Sequence, residues 1–420
     1  MRFDSLQDWL SWQETLHPEE IELGLERVQS VWQRLCPDPD LPRVITVAGT
    51  NGKGSCCAML ESVYHHAGYR TGSYTSPHLL KYNERIHLHC QQIDDESLCQ
   101  AFEAVDQARA QISLTYFEFA TLAALYIFMQ AGLDIIILEA GLGGRLDAVN
   151  IIDADVALLT SVGLDHQDWL GDDRESIGFE KAGIFRTGKP VICAEIQPPQ
   201  SVLAHADSVG AHCLRQGEDF RYQLQDKGWS WHGQNQTRSA LPMPALRGGI
   251  QLQNASAVLA VIEALDEKLP VEQAAVRQGL LDLDLAGRFQ LIAGDIPVIL
   301  DVAHNPAAVE ELIHNLNAYH CQGQVHLVLG MLQGKDAAGV VALLAPRVST
   351  WHLVSINHER GQDVTALAKV VESQGCQNVY TYDSIQQGIT AAQVNASSGD
   401  CVLITGSFYT VATALQYHVA

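Results

Sequence analysis

The stretch between Val44 and Ser55 constrains the fold of this chain more than any other segment. Its first four residues are β-branched, residues 49–54 are rich in glycine, and residues 57–67 are compatible with a helix. This order of strand, Gly-rich turn, lysine and helix is typical of a phosphate-binding loop, whose backbone N–H groups and helix N-terminus face an anion. The common motif has Gly where Val47 stands and Ser or Thr where Gly54 stands, so an ordinary tight strand-to-helix turn is the alternative interpretation.

Length and charge limit the possible functions. The chain has 420 residues, which is long for one hydrophobic core, so we expect two or three domains. Lys and Arg number 26 against 49 Asp and Glu, which gives a net charge of −23. Such a surface repels nucleic acid and anionic membranes, and it argues against both as partners. An anionic small substrate would need local cations, for which the candidates are Lys53, Arg85, Arg145, Lys181 and Arg288.

The cysteines and the apolar segments predict a cytoplasmic protein. None of the 10 cysteines has the Cys-x-x-Cys spacing, so reduced thiols are expected rather than a disulfide framework or a zinc cage. The N-terminus carries no apolar signal region. The most apolar helical segment, residues 117–130, contains Glu118 and is too short to span a bilayer.

Three further segments predict buried strands that end in polar residues. Residues 71–75 run into Ser76, residues 135–140 contain Glu139 near their end, and residues 156–161 precede His166. An acid at the end of an apolar parallel strand, after a phosphate loop, is the usual arrangement for magnesium. Glu139 could instead cap the next turn, and His166 could be an ordinary structural histidine.

The rest of the chain predicts an α/β protein with a second, smaller domain. We expect helices over residues 1–40, one of them starting at 17–21, and antiparallel strands over 222–236. From residue 287 strands again alternate with helices, without a Gly-rich fingerprint. We therefore expect a phosphate-loop domain over residues 1–286, built on a parallel sheet, and a Rossmann-like domain over residues 287–420. Residues 301–306 and 406–407 follow strands of the second domain, and ligand-binding groups are often found at such positions.

A phosphate loop, a metal-binding acid and two α/β domains suit the joining of a carboxylate to an amine. A carboxylate does not acylate an amine at neutral pH, because oxide is a poor leaving group. Transfer of the γ-phosphoryl group of ATP makes an acyl phosphate, which an amine can attack. Magnesium and lysines would offset the repulsion between the anions, and domain closure would exclude water.

Several segments resemble motifs of the folylpolyglutamate synthase family, and more closely of its bacterial bifunctional dihydrofolate synthase/folylpolyglutamate synthase members, within the Mur-ligase superfamily. They occur in the family's order from about residue 17 to the C-terminus. The matching segments are Gly49-Thr50-Asn51-Gly52-Lys53-Gly54-Ser55, Thr75-Ser76-Pro77-His78-Leu79, residues 139–148, Asp165-His166, Glu180-Lys181-Ala182-Gly183-Ile184 and Asp301-Val302-Ala303-His304-Asn305-Pro306.

The resemblance implies a nucleotide site and a magnesium site. The implied ATP-binding residues are Thr50, Asn51, Gly52, Lys53, Gly54, Ser55, Asn254, Arg288 and Asp301. Ser76 and Glu139 would bind one Mg²⁺ and His166 would help to bind a second. Lys181 would be carbamylated, which turns a cation into a carboxylate; an unmodified lysine in a salt bridge is the alternative. The family also implies a monovalent cation.

The resemblance implies substrate-binding residues as well. The implied pterin and folate contacts are Pro18, Glu19, Glu20, Ile21, Thr115, Tyr116, Phe117, Glu118, Leu146, Asp147 and Ala148. His304 and Ser407 match positions for glutamate binding or closure of the second domain. The chain departs from the family at Val149, where Thr is expected.

By this resemblance the chain would be a monomeric ATP-dependent ligase. It would add L-glutamate to dihydropteroate, giving dihydrofolate, and to the γ-carboxylate of reduced folates, with release of ADP and phosphate. Three alternatives remain open: a monofunctional folylpolyglutamate synthase, another Mur-type ligase, and a nucleotide switch without ligase activity. A cell-wall ligase normally has Thr-Thr where this chain has Gly54-Ser55, and the Asn-Lys-x-Asp signature of GTPases is absent from the sequence.

Overall fold

A computed structural model describes residues 2–419, which form two compact units. The first unit comprises the chain up to Gly163, Gln167–Ala245 and Leu252–Leu283. The second comprises Leu164–His166, Leu246–Gln251 and the chain from Asp284 onward. Two short segments from the first two thirds of the chain therefore belong to the second unit.

The main sheet of the first unit has eight strands in the order β4-β3-β2-β5-β1-β6-β7-β8. Strands β2, β5, β1, β6, β7 and β8 are parallel, and β3 and β4 form an antiparallel edge. The strands are β1 (Arg43–Ala48), β2 (Thr71–Tyr74), β3 (Ile86–Leu88), β4 (Gln91–Gln92), β5 (Ile135–Glu139), β6 (Val156–Leu159), β7 (Pro190–Cys193) and β8 (His212–Arg215). Every residue of β5 is buried, as expected for a parallel strand covered on both faces.

Ten helices accompany this sheet in the chain up to Leu281, and they include the predicted helix after the Gly-rich loop, α3. They are α1 (Leu6–Gln13), α2 (Glu26–Leu35), α3 (Lys53–His66), α4 (Asp95–Arg109), α5 (Tyr116–Gln130), α6 (Gln167–Leu170), α7 (Arg174–Ala182), α8 (Gln200–Val209), α9 (Ile250–Ala264) and α10 (Gln273–Leu281). Two 3₁₀ helices cover Tyr82–Arg85 and Ala148–Ile151. Within residues 2–419, no helix has the length and apolar character needed to cross a membrane.

The predicted antiparallel segment around residues 222–236 is confirmed. Strands β9 (Arg221–Gln225), β10 (Gly228–His232) and β11 (Thr237–Leu241) form a separate three-stranded antiparallel sheet. Trp229 and Trp231 on β10 are fully buried, which explains why a Trp-rich segment belongs to a packed sheet. The sequence did not predict β8, α8 or α10.

The prediction of a helix start at residues 17–21 is wrong. The next helix, α2, begins at Glu26, and residues 17–25 precede it without regular helical structure. The reason is a side-chain anchor: His17 Nδ1 lies 2.6 Å from Ser113 Oγ and His17 Nε2 lies 2.7 Å from Glu22 Oε2. These contacts hold the segment as a loop against the residues before α5.

The second unit contains a six-stranded sheet in the order β12-β13-β17-β14-β15-β16. Its elements are β12 (Gln290–Ile292), β13 (Val298–Leu300), α11 (Pro306–Tyr319), β14 (Val325–Leu329), α12 (Ala337–Leu344), β15 (Thr350–Val354), α13 (Val364–Ser373), β16 (Val379–Tyr382), α14 (Ile385–Asn395), β17 (Cys401–Thr405) and α15 (Phe408–Val419). All neighbouring strands are parallel except β12, which pairs with β13 in the antiparallel direction. The sequence did not predict β12, β16 or α14, but the α/β class of both parts of the chain is confirmed.

Candidate active site

Two glycines of the Gly-rich loop are required by its geometry. Gly49 follows β1 with φ +153°, and a Cβ there would lie 1.8 Å from Thr160 Oγ1. Gly52 caps α3 with φ +87°, in the left-handed region, and a Cβ there would lie 2.9 Å from Asn254 Oδ1. Side chains other than hydrogen would therefore distort the turn. Asn254, on α9, reaches the loop as an implied nucleotide contact.

The loop is seated on the segment that follows β6. Thr50 N–H donates to the Ser161 carbonyl oxygen at 2.8 Å, and Thr50 Oγ1 donates to the Gly163 carbonyl oxygen at 3.1 Å. Asn51 N–H donates to Ser161 Oγ at 3.0 Å. These bonds fix the turn so that the N-terminus of α3, including Gly54 and Ser55, opens at the end of β1. A helix N-terminus in this setting attracts anions.

Two lysines converge on one backbone oxygen of the loop. Lys53 Nζ donates to the carbonyl oxygens of Gly49 at 3.0 Å and Thr50 at 3.2 Å. Lys181 Nζ, from α7, donates to the same Gly49 oxygen at 3.0 Å, and the residue is only 4% exposed. Two ammonium groups beside a helix N-terminus concentrate positive charge where a polyphosphate would lie.

Glu139 and Ser76 form an oxygen-rich pair at the ends of adjacent strands. β2 and β5 are parallel neighbours, so the residues that follow them share one edge of the sheet. Ser76 N–H donates to Glu139 Oε2 at 3.2 Å, and Glu139 is 4% exposed. A carboxylate and a hydroxyl are oxygen ligands that Mg²⁺ accepts. In the part of the chain that the structure describes, no three His, Cys, Asp or Glu side chains form a metal-binding group.

The segment around His166 belongs to the second unit, unlike Ser76 and Glu139. His166 has φ +53°, a left-handed conformation that is unusual for a side chain of this size. The preceding Asp165 accepts from Lys335 Nζ at 2.6 Å and from Asn305 Nδ2 at 3.0 Å. His304 Nε2 lies 3.5 Å from the same carboxylate.

The charges around Asp165 determine its protonation. Burial, the largest single effect, would raise its pKa, but the hydrogen bond from His304 and the positive charges of His166 and Lys335 outweigh burial. The pKa of Asp165 is therefore held well below its usual range. Asp165 and Lys335 were not predicted as site residues, whereas Asn305 lies in the segment 301–306 that the sequence singled out as a candidate ligand-binding loop. Lys335 had a sequence signal: like residues 301–306, it lies in a polar loop that follows a strand.

Asp301 organises the start of the second unit's polar loop. Its carboxylate accepts from the backbone N–H of Phe289 at 2.9 Å and of Ala303 at 2.8 Å. Burial raises the pKa of Asp301, and the nearby charge of Arg288 opposes this shift. The Arg288 guanidinium carbon lies 5.4 Å from the centre of the Phe408 ring, a cation–π distance.

His304 and Ser407, the two residues implied in glutamate binding, make different kinds of hydrogen bonds. His304 Nδ1 hydrogen-bonds to the Val302 carbonyl oxygen at 2.9 Å, and its other nitrogen faces Asp165. Ser407 is 2% exposed; its Oγ accepts from Thr410 N–H at 3.1 Å and lies 2.7 Å from Thr410 Oγ1. Ser407 therefore caps α15.

The implied folate segments come together within the first unit. Arg27 contacts Glu22 and donates to Glu118 Oε1 at 3.1 Å, which joins the loop at residues 17–22 to the start of α5. Pro18, Glu19 and Glu20 are exposed there and Ile21 is half-buried. Thr115 and Glu118 cap α5 reciprocally, because each side chain accepts the other residue's backbone N–H.

The loop that leads into the third folate segment lies against the second. The Phe117 ring leaves no room for a Cβ at Gly141, which would come within 2.7 Å of it. The buried Asp147 accepts from Leu142 N–H at 2.8 Å and Val149 N–H at 3.1 Å, and burial raises the pKa of Asp147 to about 6. Tyr116 and Leu146 are half-buried and Ala148 is buried. Val149, the residue that departs from the family pattern, is fully buried and belongs to the packed core.

The fold and these groups define a phosphate-loop enzyme with a second α/β domain. Comparison with family models agrees: the Mur ligase middle domain matches residues 47–262, and the Mur ligase, glutamate ligase domain matches residues 287–408.

Whole-chain relatives have the same architecture. The chain is 44% identical to a dihydrofolate synthase/folylpolyglutamate synthase of Escherichia coli (strain K12), over 98% of this chain and 95% of the relative. It is 41% identical to the Haemophilus influenzae protein of the same name, over 97% and 96% of the two chains. An E. coli structure in complex with DHPP and ADP superposes with a TM-score of 0.94 at 44% identity, covering 99% and 98% of the chains. A Mycobacterium tuberculosis folylpolyglutamate synthase complexed with ADP gives 0.89 at 27% identity, covering 99% of each. The chain therefore belongs to the Mur ligases and, among them, to the dihydrofolate synthase/folylpolyglutamate synthase family of ligases.

We predict that Lys53→Ala reduces nucleotide-dependent turnover by about 10²–10³-fold while the fold is retained, because a charged donor to the phosphates is lost. ADP affinity and kcat, measured beside a circular dichroism spectrum, test this. The exposed Lys227→Ala, which removes the same charge from the turn between β9 and β10, is the matched control. Near-normal turnover by Lys53→Ala would refute the phosphate-loop assignment.

We predict that Asp165→Asn lowers thermal stability at neutral pH. Asp165 and Lys335 side chains are each 10% exposed, and breaking a buried pair costs about 3–5 kcal/mol. Because the pKa of Asp165 is lower in the folded protein than in the unfolded chain, its ionised form stabilises the fold at pH values above the unfolded pKa of about 4. This contribution is lost as the pH falls below that value. The difference in unfolding midpoint from wild type should thus be large at pH 5–8 and shrink below about pH 4. Asp153→Asn, at an exposed ion pair, should shift the unfolding midpoint little at any pH. Equal unfolding midpoints for Asp165→Asn and wild type at pH 7 would contradict the stabilising role of the Asp165–Lys335 pair.

Proposed function

We propose that this chain uses ATP to add L-glutamate to dihydropteroate, giving dihydrofolate, and to the γ-carboxylate of reduced folates. The substrate carboxylate attacks the γ-phosphorus of ATP, which releases ADP and forms an acyl phosphate. The amine of L-glutamate then attacks the acyl carbon, and phosphate leaves as the amide forms. The nitrogen loses its proton in this step.

The observation that carries this proposal is the arrangement within the first unit. The phosphate loop, its two lysines and the Ser76–Glu139 pair lie at the ends of adjoining strands β1, β2 and β5. The three implied folate segments lie in the same unit, where Arg27 links the loop at residues 17–22 to Glu118 and Gly141 packs against Phe117. Relatives support the choice of ligands: the E. coli structure contains DHPP and ADP, and a bifunctional synthase at 42% identity and a TM-score of 0.92 has Mn, AMPPNP and L-glutamate bound.

The residue roles are part of the proposal. Backbone N–H groups of residues 50–55 and Lys53 hold the phosphates of ATP, and Asn254, Arg288 and Asp301 complete the nucleotide site. Ser76 and Glu139 would hold one Mg²⁺ and His166 a second; magnesium offsets the repulsion between the anionic reactants. A monovalent cation, a monomeric state and a cytoplasmic location belong to the same proposal.

Apart from Arg288 and Asp301, which are proposed nucleotide contacts in the second domain, the two proposed domains bind different substrates. Residues 1–286 bind ATP and the folate through the loop at 18–21, the residues at 115–118 and those at 146–148. Residues 287–420 bind L-glutamate, and His304, whose Nε2 lies 3.5 Å from the Asp165 carboxylate, is the proposed contact. Ser407 acts indirectly, by fixing the start of α15 beside Phe408.

The proposal is tested by ADP release with ATP, Mg²⁺ and L-glutamate, with dihydropteroate or tetrahydrofolate as acceptor and with products identified by mass. We expect turnover with both acceptors. Turnover with tetrahydrofolate alone would indicate a monofunctional folylpolyglutamate synthase. Absence of glutamate-dependent turnover with either would refute the proposal, and nucleotide hydrolysis without a ligated product would then favour a nucleotide switch.

We propose that Lys181 is carbamylated in the active enzyme. A carbamate keeps one N–H, which could retain the bond to the Gly49 oxygen while its two oxygens face the cations. Lys181→Ala should therefore lose ligase activity, and short carboxylic acids such as acetate should restore part of it. Lys227→Ala should be active and insensitive to acetate. Full activity of Lys181→Ala without additives would show that the carbamate is not needed.

A further inference from the structure

Arg85, one of the cations that the sequence offers for an anionic substrate, carries a buried charge that the proposed residue roles do not use. It ends the 3₁₀ helix Tyr82–Arg85, just before β3, and it is 9% exposed. Its guanidinium carbon lies 5.4 Å from the centre of the Tyr82 ring and 5.6 Å from that of Tyr116. Both are cation–π distances, so two aromatic rings restrict the guanidinium group.

His78 fixes the rotation of this group. Arg85 Nε donates to His78 Nδ1 at 2.8 Å. Because a guanidinium nitrogen only donates, His78 Nδ1 must be the unprotonated ring nitrogen. The His78 ring lies 5.8 Å from Tyr82, which holds the imidazole in turn.

The charge of Arg85 has no carboxylate counterion among residues 2–419. No Asp or Glu oxygen lies within 4.0 Å of its guanidinium nitrogens, and its partners are His78, Tyr82, Tyr116 and the Tyr74 hydroxyl, all uncharged in these contacts. The adjacent Glu84 is engaged elsewhere, since it accepts the backbone N–H groups of residues 79–81 at 2.7–2.8 Å. A buried charge without a counterion is costly unless a ligand supplies one.

The place of Arg85 indicates which ligand this is. Its stacking partner Tyr116 opens α5, one of the folate segments. Its other partner, His78, lies two residues after Ser76, whose backbone contacts Glu139. Arg85 thus connects the residues proposed for the folate with those proposed for magnesium. A fixed guanidinium matches the two oxygens of a carboxylate.

We propose that Arg85 binds a carboxylate of the folate-type acceptor and that His78 is a positioning residue that aims the guanidinium group. The inference rests on the proposed function and adds a subsite to it. Dihydropteroate has one carboxylate, the reacting one, whereas a folate also has the α-carboxylate of its glutamate. Either can supply the counterion, and the two acceptors distinguish them.

The test compares Arg85→Leu, Arg85→Lys, His78→Asn and His78→Leu with wild type, using KM and kcat for each substrate. The matched control is Arg221→Leu, which removes one positive charge from an exposed position on β9. Unfolding midpoints and ADP affinity show whether each variant keeps its fold and its nucleotide site. If Arg85→Leu does not fold, the acceptor KM of Arg85→Lys tests the proposal, because lysine keeps the charge but loses the planar guanidinium group and the bond to His78.

We expect Arg85→Leu and Arg85→Lys to raise the acceptor KM at least about tenfold, with the KM values of ATP and L-glutamate within about twofold of wild type. A rise for both acceptors assigns Arg85 to the reacting carboxylate, and a rise for tetrahydrofolate alone assigns it to the α-carboxylate. An unchanged acceptor KM, or a change confined to L-glutamate, would overturn the subsite.

The His78 variants separate positioning from packing. His78→Asn, which can still accept from Arg85 Nε, should keep the acceptor KM within about threefold of wild type, and His78→Leu should raise it as Arg85→Lys does. Equal acceptor KM values for His78→Leu and wild type would refute the positioning role. If wild type itself ligates neither acceptor, the proposed function fails. If wild type is active and Arg85→Leu has the same acceptor KM, only the Arg85 subsite fails.

Discussion

The register of β1 between β5 and β6 sets the position of the Gly-rich loop relative to Glu139. Val47 pairs with Glu139 on one side, and Ala48 pairs with Leu159 on the other. Gly49 therefore leaves the sheet next to Thr160, and only glycine fits there. A slip of one residue would turn each side chain to the opposite face and separate the loop from the acid.

Buried charge is the second constraint, and the protein manages it in different ways. Lys181 is bonded to a loop carbonyl, and Asp165 is surrounded by Lys335, His304 and Asn305. Arg85 is enclosed by aromatic rings and an imidazole. Desolvated charges are costly in isolation, so each depends on the partners that the fold provides. For Asp165 these partners outweigh the cost of burial and hold its pKa below the usual range.

Much of the fold could be predicted because its signals are local. The apolar run of β5 and the turn at residues 49–52 each reflect a short-range steric or hydrophobic preference, and the structure confirms them. The elements that were missed lack such signals: β16 is half-exposed, and β12 is only three residues long. The helix start expected at residues 17–21 had favourable local residues, yet contacts of His17 with Ser113 and Glu22 decided the outcome.

The sequence by itself determined the phosphate loop, the order of the strands along the chain and the likeness to folate ligases, because these depend on residues that are close in sequence. Only the tertiary structure decided which side chains share a site. It joined Asp165 to Lys335, 170 residues later, and it gave Arg85 two aromatic partners and, among residues 2–419, no acidic one. It also used Ser407 as a helix cap. Such contacts depend on how strands and loops distant in sequence pack together, and periodicity along the chain carries no record of that packing.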